Sequence, residues 1–197
     1  MRRALFSVVL VMVACTASPA QTSVASHPCP DEHTYTGEYR NTVFGFSIII
    51  PAGLKGYWNS ARCAPDETYG CVCMGDHGRF IPLSDQSSVE VFVGWQMEPD
   101  WTLRDHENNE VAALRSKQGV SQLRIINSRS VRLSKLKARR FVVLFNQNDK
   151  SSLEEYLIAL YDGVEYHLTL HTIPQRYRKD RQQFEKVIAS WKFTPRQ

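Results

Sequence analysis

Residues 155–172 read EYLIALYDGVEYHLTLHT, and this stretch decides the fold. Two apolar runs, Glu155 to Tyr161 and Val164 to Thr172, flank Asp162-Gly163. Asp-Gly between such runs predicts a hairpin, because a type I′ turn needs positive φ at both central positions. In the second run Val164, Tyr166, Leu168 and Leu170 alternate with Glu165, His167, Thr169 and His171. That alternation gives the strand one apolar and one polar face.

Upstream, strands are expected at about 121–133 and 138–146. The second of these is apolar on both faces, with Phe141, Val142, Val143, Leu144 and Phe145 in a row. It should lie centrally under a covering layer. Thr102 to Gln118 reads as a helix, with Thr102 as N-cap, Asp105 three residues on, and Gly119 as a stop. Val89, Val91, Val93 and Trp95 mark another strand, and Arg79 to Leu83 a short one. Phe44 to Ile50 is a first strand closed by Pro51. Residues 51–76, rich in turn formers and holding three cysteines, read as a long loop. Downstream, Tyr177, Phe184, Val187, Ile188 and Trp191 form one apolar stripe on a helix from about 175 to 191. Short links between successive strands predict an α+β domain, an antiparallel β-sheet of about six or seven strands flanked by two helices.

The N-terminus sets the compartment. Arg2 and Arg3 precede an apolar run from Ala4 to Ala14, too short for the ~20 residues that span a bilayer. Ser18-Pro19-Ala20 follows with small residues before a cut after Ala20. This order is that of a secretory signal peptide over residues 1–20. Val13-Ala14-Cys15 offers a second route, lipidation of Cys15, with Met12 where leucine is usual. Residues 21–38 then form an N-terminal arm, and 39–197 a single domain. The expected location is outside the cytoplasmic membrane, periplasmic or secreted, released or lipid-anchored.

Export changes the reading of the cysteines. Cys29, Cys63, Cys71 and Cys73 remain after processing, and an oxidising compartment makes two disulfides the default. A Cys71–Cys73 ring would be very tight, so each should pair with Cys29 or Cys63. The rival is a metal site from Cys63, Cys71, Cys73 and His77, whose spacing is not that of the usual zinc knuckles.

The formal charge of +4 falls to +2 without Arg2 and Arg3, and its distribution is uneven. Residues 21–110 carry 13 acids and 5 bases; residues 111–197 carry 7 acids and 17 bases. Arg115 to Arg140 holds nine bases and no acid. Either acidic and basic segments become neighbours on folding, or 115–140 and 176–192 form a contact surface, which charge reversal at Arg139 and Arg140 would test.

The chain resembles the PsbP-like family. The resemblance rests on Asn41-Thr42-Val43-Phe44-Gly45-Phe46-Ser47-Ile48-Ile49-Ile50-Pro51, the hairpin Tyr156–Thr172, and Phe184–Phe193 with Ser190-Trp191-Lys192. It covers about residues 39–193. It implies an antiparallel sheet flanked by helices, and a non-catalytic, exported or lumenal protein that acts by binding. The cysteine-bearing segment 63–73 departs from that pattern, and no functional residue carries over.

The most enzyme-like string is His106-Glu107-Asn108-Asn109-Glu110. On a helix, His106 and Glu110 lie one turn apart and suit a metal-dependent hydrolase with Glu107 as base, but the second histidine of the zinc-protease motif is missing. A solvated first half of a helix is the simpler reading. Against it, Leu103, His106, Glu107, Glu110, Val111 and Leu114 share one stripe, where core contacts are expected. His167 and His171 share a strand face about 13 Å apart, too far to chelate one ion together. They should lie under a helix or at the surface. Nucleophile elbow, phosphate loop and dinucleotide fingerprint are all missing, and the compartment and sparse aromatics argue against nucleic acid. Catalytic, cofactor and metal residues are therefore left unassigned. The expected function is an exported non-catalytic binding or assembly domain. Its partner is a cell-envelope protein, and it meets the membrane only through a lipid at Cys15.

Overall fold

The computed structural model describes residues 34–58, 69–75 and 87–196. Eleven strands and two helices lie among them. Eight strands form one antiparallel sheet, in the order β1 (Thr34–Tyr35), β4 (Lys55–Trp58), β5 (Tyr69–Gly75), β6 (Ser88–Trp95), β10 (Val164–Thr172), β9 (Lys150–Tyr161), β8 (Leu136–Gln147), β7 (Val120–Leu133). A second sheet runs β11 (Lys192–Phe193), β3 (Phe46–Ile49), β2 (Glu38–Asn41). The α+β class and the antiparallel sheet with two helices are as the sequence predicts.

The hairpin at Asp162-Gly163 forms in the expected register, with Val164 opposite Tyr161. Asp162 and Gly163 take φ of 51° and 71°, the conformation a type I′ turn requires. A second turn of this kind joins β8 to β9. Asn148 and Asp149 have φ of 50° and 63°, so β9 starts at Lys150, earlier than its apolar run.

Alternation then sorts each strand between two layers. Val89, Val91, Val93, Leu157, Ala159, Val164, Tyr166, Leu168 and Leu170 face one side of the large sheet. There they meet Phe44, Phe46 and Ile48 of the small sheet, and Phe184, Val187 and Trp191 at α2 (Tyr177–Ser190). Phe46 stacks on Trp191 with ring centroids 4.7 Å apart. Gly45 lets the C-terminal chain close over this cluster: its φ is +66°, and a Cβ there would meet the Thr194 carbonyl oxygen at 2.6 Å.

The opposite side is covered by α1 (Leu103–Ser116), through Val111 and Leu114 packed on Phe141, Val143, Phe145, Tyr156 and Ile158. The covering layer expected over 138–146 is thus met, but β8 lies next to the edge strand β7 and not at the centre of the sheet. The helix starts where its capping box predicts, with Thr102 and Asp105 bonding each other's backbone N–H.

The structure departs from the expectation in the arm 21–38, where Thr34–Tyr35 forms β1 and pairs with β4, and again at 51–76. Residues 51–76 are not one loop, because β4 and β5 pair there and extend the sheet beyond β6. These strands carry glycines and cysteines instead of an alternating apolar pattern, so pairing onto β6 defines them rather than propensity. The segments 1–33, 59–68 and 76–86 lie outside the described residues. With them go the signal peptide, Cys15, Cys29, Cys63, His77 and the strand expected at 79–83.

Candidate functional site

The helix α1 lies over β7, β8 and β9. Beside it, the same face of the sheet carries the polar half of the alternating strands. From β10 come Glu165, His167, Thr169 and His171; from β6, Glu90 and Phe92; from β9, Glu154 and Tyr156. Glu110 and Lys117 approach from the helix side. Together they line a cleft of about 290 Å³. A larger hollow of about 370 Å³, bounded by Gln122, Arg124, Leu144, Phe145, Asn146 and Ser151, gathers only one charged group. The cleft holds the chemistry.

Two clusters divide it. In the first, Glu165 stands between two imidazoles, with Oε1 3.5 Å from His106 Nε2 and Oε2 3.2 Å from His167 Nε2. The other ring nitrogen of His167 lies 3.6 Å from Glu110 Oε1. The His106 side chain is 4% exposed. Neither Nε2 is aligned for a hydrogen bond with any described residue. A buried polar atom left in that state costs about 1–3 kcal/mol, so its surroundings call for explanation. In the second cluster, His171 Nε2 is 3.3 Å from Glu90 Oε2, and His171 Nδ1 is 3.2 Å from Glu154 Oε1. Tyr156 donates its hydroxyl to Glu154.

The electrostatics follow from this partition. Burial lowers the pKa of His106, more than Glu165 raises it. Burial also raises the pKa of Glu110, with His167 pulling the other way. For His171 burial favours the neutral ring, but hydrogen bonds and charge from Glu154 and Glu90 win and push its pKa up to about 9. Glu154 falls below its usual value: burial opposes ionisation, and His171 and Tyr156 outweigh it.

A pH dependence results. His171 has a folded pKa above its unfolded value, near 6.5. Its stabilisation is complete below that value and fades as pH rises through about 9. With 35% of the side chain exposed, water screening holds the contribution to ~1 kcal/mol. Denaturation midpoints of wild type and His171→Gln, measured between pH 5.5 and 9.5, should converge as pH rises. A constant gap would count against the charged pair.

The structure places the sequence candidates as follows. Glu110 lines the cleft, and His106 is buried behind its wall against Glu165. The solvated-helix reading fails for His106 and Glu107, which are buried because their stripe packs against the sheet. Glu107 does not join them as a base. It turns to β7 and β8, accepting from Ser128 Oγ at 2.6 Å and from Arg139 Nε. His167 and His171 fall into separate clusters, in keeping with their spacing. Arg139 and Arg140, chosen for charge reversal within the expected basic surface, both make internal ion pairs. Arg139 is engaged with Glu107, and Arg140 is buried on the α2 side against Glu155 and Glu185, at 2.7 Å from each. Cys71 and Cys73 fall within β5, in register with Phe92 and Glu90 of β6. The other two cysteines lie outside the described residues, so the disulfides stay an expectation. The sequence reading missed Glu90, Glu154, Glu165 and Tyr156. Their signal was the polar phase of strands whose apolar phase was already clear.

The fold has solved counterparts. The solution structure of cyanobacterial PsbP (CyanoP) from Synechocystis sp. PCC 6803 superposes on 90% of this chain and 98% of its own, with a TM-score of 0.57 and 14% identity. The fold is PsbP-like. A crystal structure from Bacteroides thetaiotaomicron VPI-5482 superposes on 80% of this chain and 48% of its own, at a TM-score of 0.51 and 9% identity. No family model matches the sequence, and neither does any curated protein. Identities this low speak to the fold alone. Among the described residues, no helix is long and apolar enough to cross a membrane.

Proposed function

We propose that the protein is an exported, non-catalytic PsbP-like domain that binds an acidic, extended segment of a cell-envelope protein along β7. The supporting observation is the character of that strand. It is 14 residues long and ends the large sheet among the described residues. Arg124, Arg129 and Arg132 are exposed along it, and so are Ile125 and Ile126. An edge strand presents backbone N–H and C=O groups to a partner. The arginines and the irregular pairing between Ser121 and Asn127 guard it against its own kind. Such an edge favours a partner of opposite charge. These arginines belong to the basic 115–140 segment expected as a contact surface, whereas Arg139 and Arg140 of the same segment are engaged in internal ion pairs. Export rests on the basic, apolar and small-residue order of residues 1–20.

Capture from envelope extract tests this. Arg124→Glu with Arg132→Glu should reduce recovery of the partner about tenfold or more. Wild-type capture should weaken as salt shortens the screening length below ~8 Å. Undiminished capture by the folded double variant would remove β7 as the contact surface.

A further inference from the structure

The deep end of the cleft carries more than a set of ion pairs. His106 comes from the first turns of α1, while Glu165 and His167 come from one face of β10. Their donor atoms all lie within 4.8 Å of one another. His106 Nε2 and His167 Nε2 are shut off from solvent and make no hydrogen bond within the described residues. The surroundings hold both rings in place. Trp101 packs edge-on against His106 with centroids 5.2 Å apart, and Glu110 faces Nδ1 of His167.

We propose that His106 Nε2, His167 Nε2 and a Glu165 carboxylate oxygen bind a divalent transition metal ion, with Zn²⁺ the first choice. The distances fit. Bonds of about 2.0–2.1 Å at tetrahedral angles place donor atoms about 3.3 Å apart. His106 Nε2 lies 3.5 Å from Glu165 Oε1, His167 Nε2 lies 3.2 Å from Glu165 Oε2, and one donor atom from each of the three residues lies within 4.8 Å of the others, so small side-chain rotations bring a single carboxylate oxygen into place. The donor types select the metal. Two imidazoles with one carboxylate suit zinc and its neighbours, whereas calcium and magnesium take oxygen. Glu110 is a positioning residue: a carboxylate at Nδ1 favours the tautomer that leaves Nε2 free to ligate. Three protein ligands leave a fourth position for water or a ligand group, and two of the three, Glu165 and His167, line the cleft. His171 takes no part, being held by Glu90 and Glu154. This site is independent of the β7 surface.

Purified protein, stripped with chelator and titrated calorimetrically with Zn²⁺, tests the site without any partner present, so its failure and that of β7 capture are separable. One ion per chain is expected. His106→Gln and His167→Gln should each lose on the order of 100-fold in affinity, Glu110→Gln about tenfold, and His171→Gln nothing. Should the buried histidine variants not fold, X-ray absorption on zinc-loaded wild type decides. Nitrogen and oxygen at about 2.0–2.1 Å support the site, and sulfur at about 2.3 Å overturns it in favour of cysteine ligation. The absence of zinc binding, or full affinity in a folded His106→Gln protein, overturns it as well.

Discussion

Replacing Arg140 with alanine is expected to cost about 3 kcal/mol of folding stability. Arg140 is 7% exposed and bridges two elements. Its Nε donates to Glu155 on β9 at 2.7 Å, and its Nη2 donates to Glu185 on α2 at 2.7 Å. The guanidinium also lies over the Phe184 ring, 5.8 Å from its centroid. Removing one member of a buried pair strands the other charge, and here Glu155 is 1% exposed. The cost falls at the low end of the ~3–5 kcal/mol range for such losses, because Tyr177 still donates to Glu155 at 3.0 Å and Arg181 Nε stays 3.4 Å away. Urea unfolding of Arg140→Ala beside Arg124→Ala is the measurement. An exposed arginine should change stability by no more than about 0.5 kcal/mol. Equal, small effects at both positions would mean that Arg140 is a surface residue after all.

Phe46→Ala should be larger still, about 3–5 kcal/mol. Phe46 is fully buried and joins three structural units. It stacks on Trp191 at the end of α2 and meets Tyr166 of the large sheet edge-on, with centroids 6.3 Å apart. Tyr39 of β2 closes the cluster at 5.9 Å. Truncation leaves a void between layers that a flat, stacked neighbour cannot easily fill. Phe46→Leu should recover most of the loss. A loss under about 1 kcal/mol for Phe46→Ala would show that the small sheet does not dock as described.

These two residues show what the sequence exposes and what it hides. Phe46 sits in a short β-branched and aromatic run closed by Pro51, so its strand and its burial are both legible. The hairpin at Asp162-Gly163 is legible for the same reason: backbone chemistry at two adjacent positions fixes it locally. Arg140 is not, because its partner Glu185 is 45 residues away on α2 and no local pattern points to it. The cleft lies between these cases. The alternation of β10 places Glu165, His167 and His171 on one face, and the stripe of α1 carries His106 into the core. Which helix lands over which strand is a tertiary fact, so the meeting of His106 with Glu165 could not be read beforehand. Glu107 shows the same limit from the other side, since its helical position matches His106 but its partners, Ser128 and Arg139, lie on β7 and β8. The segments read as loop between 51 and 76 failed for a further reason: β4 and β5 gain their conformation from neighbours and not from their own residues.

Intact mass spectrometry of the protein recovered from its native cells decides whether the chain is exported. The expected species begins at Gln21, or at a lipid-bearing Cys15. Its mass is lowered by two hydrogens for each of two disulfides among Cys29, Cys63, Cys71 and Cys73. A chain that still begins at Met1, with every cysteine a free thiol, would contradict export.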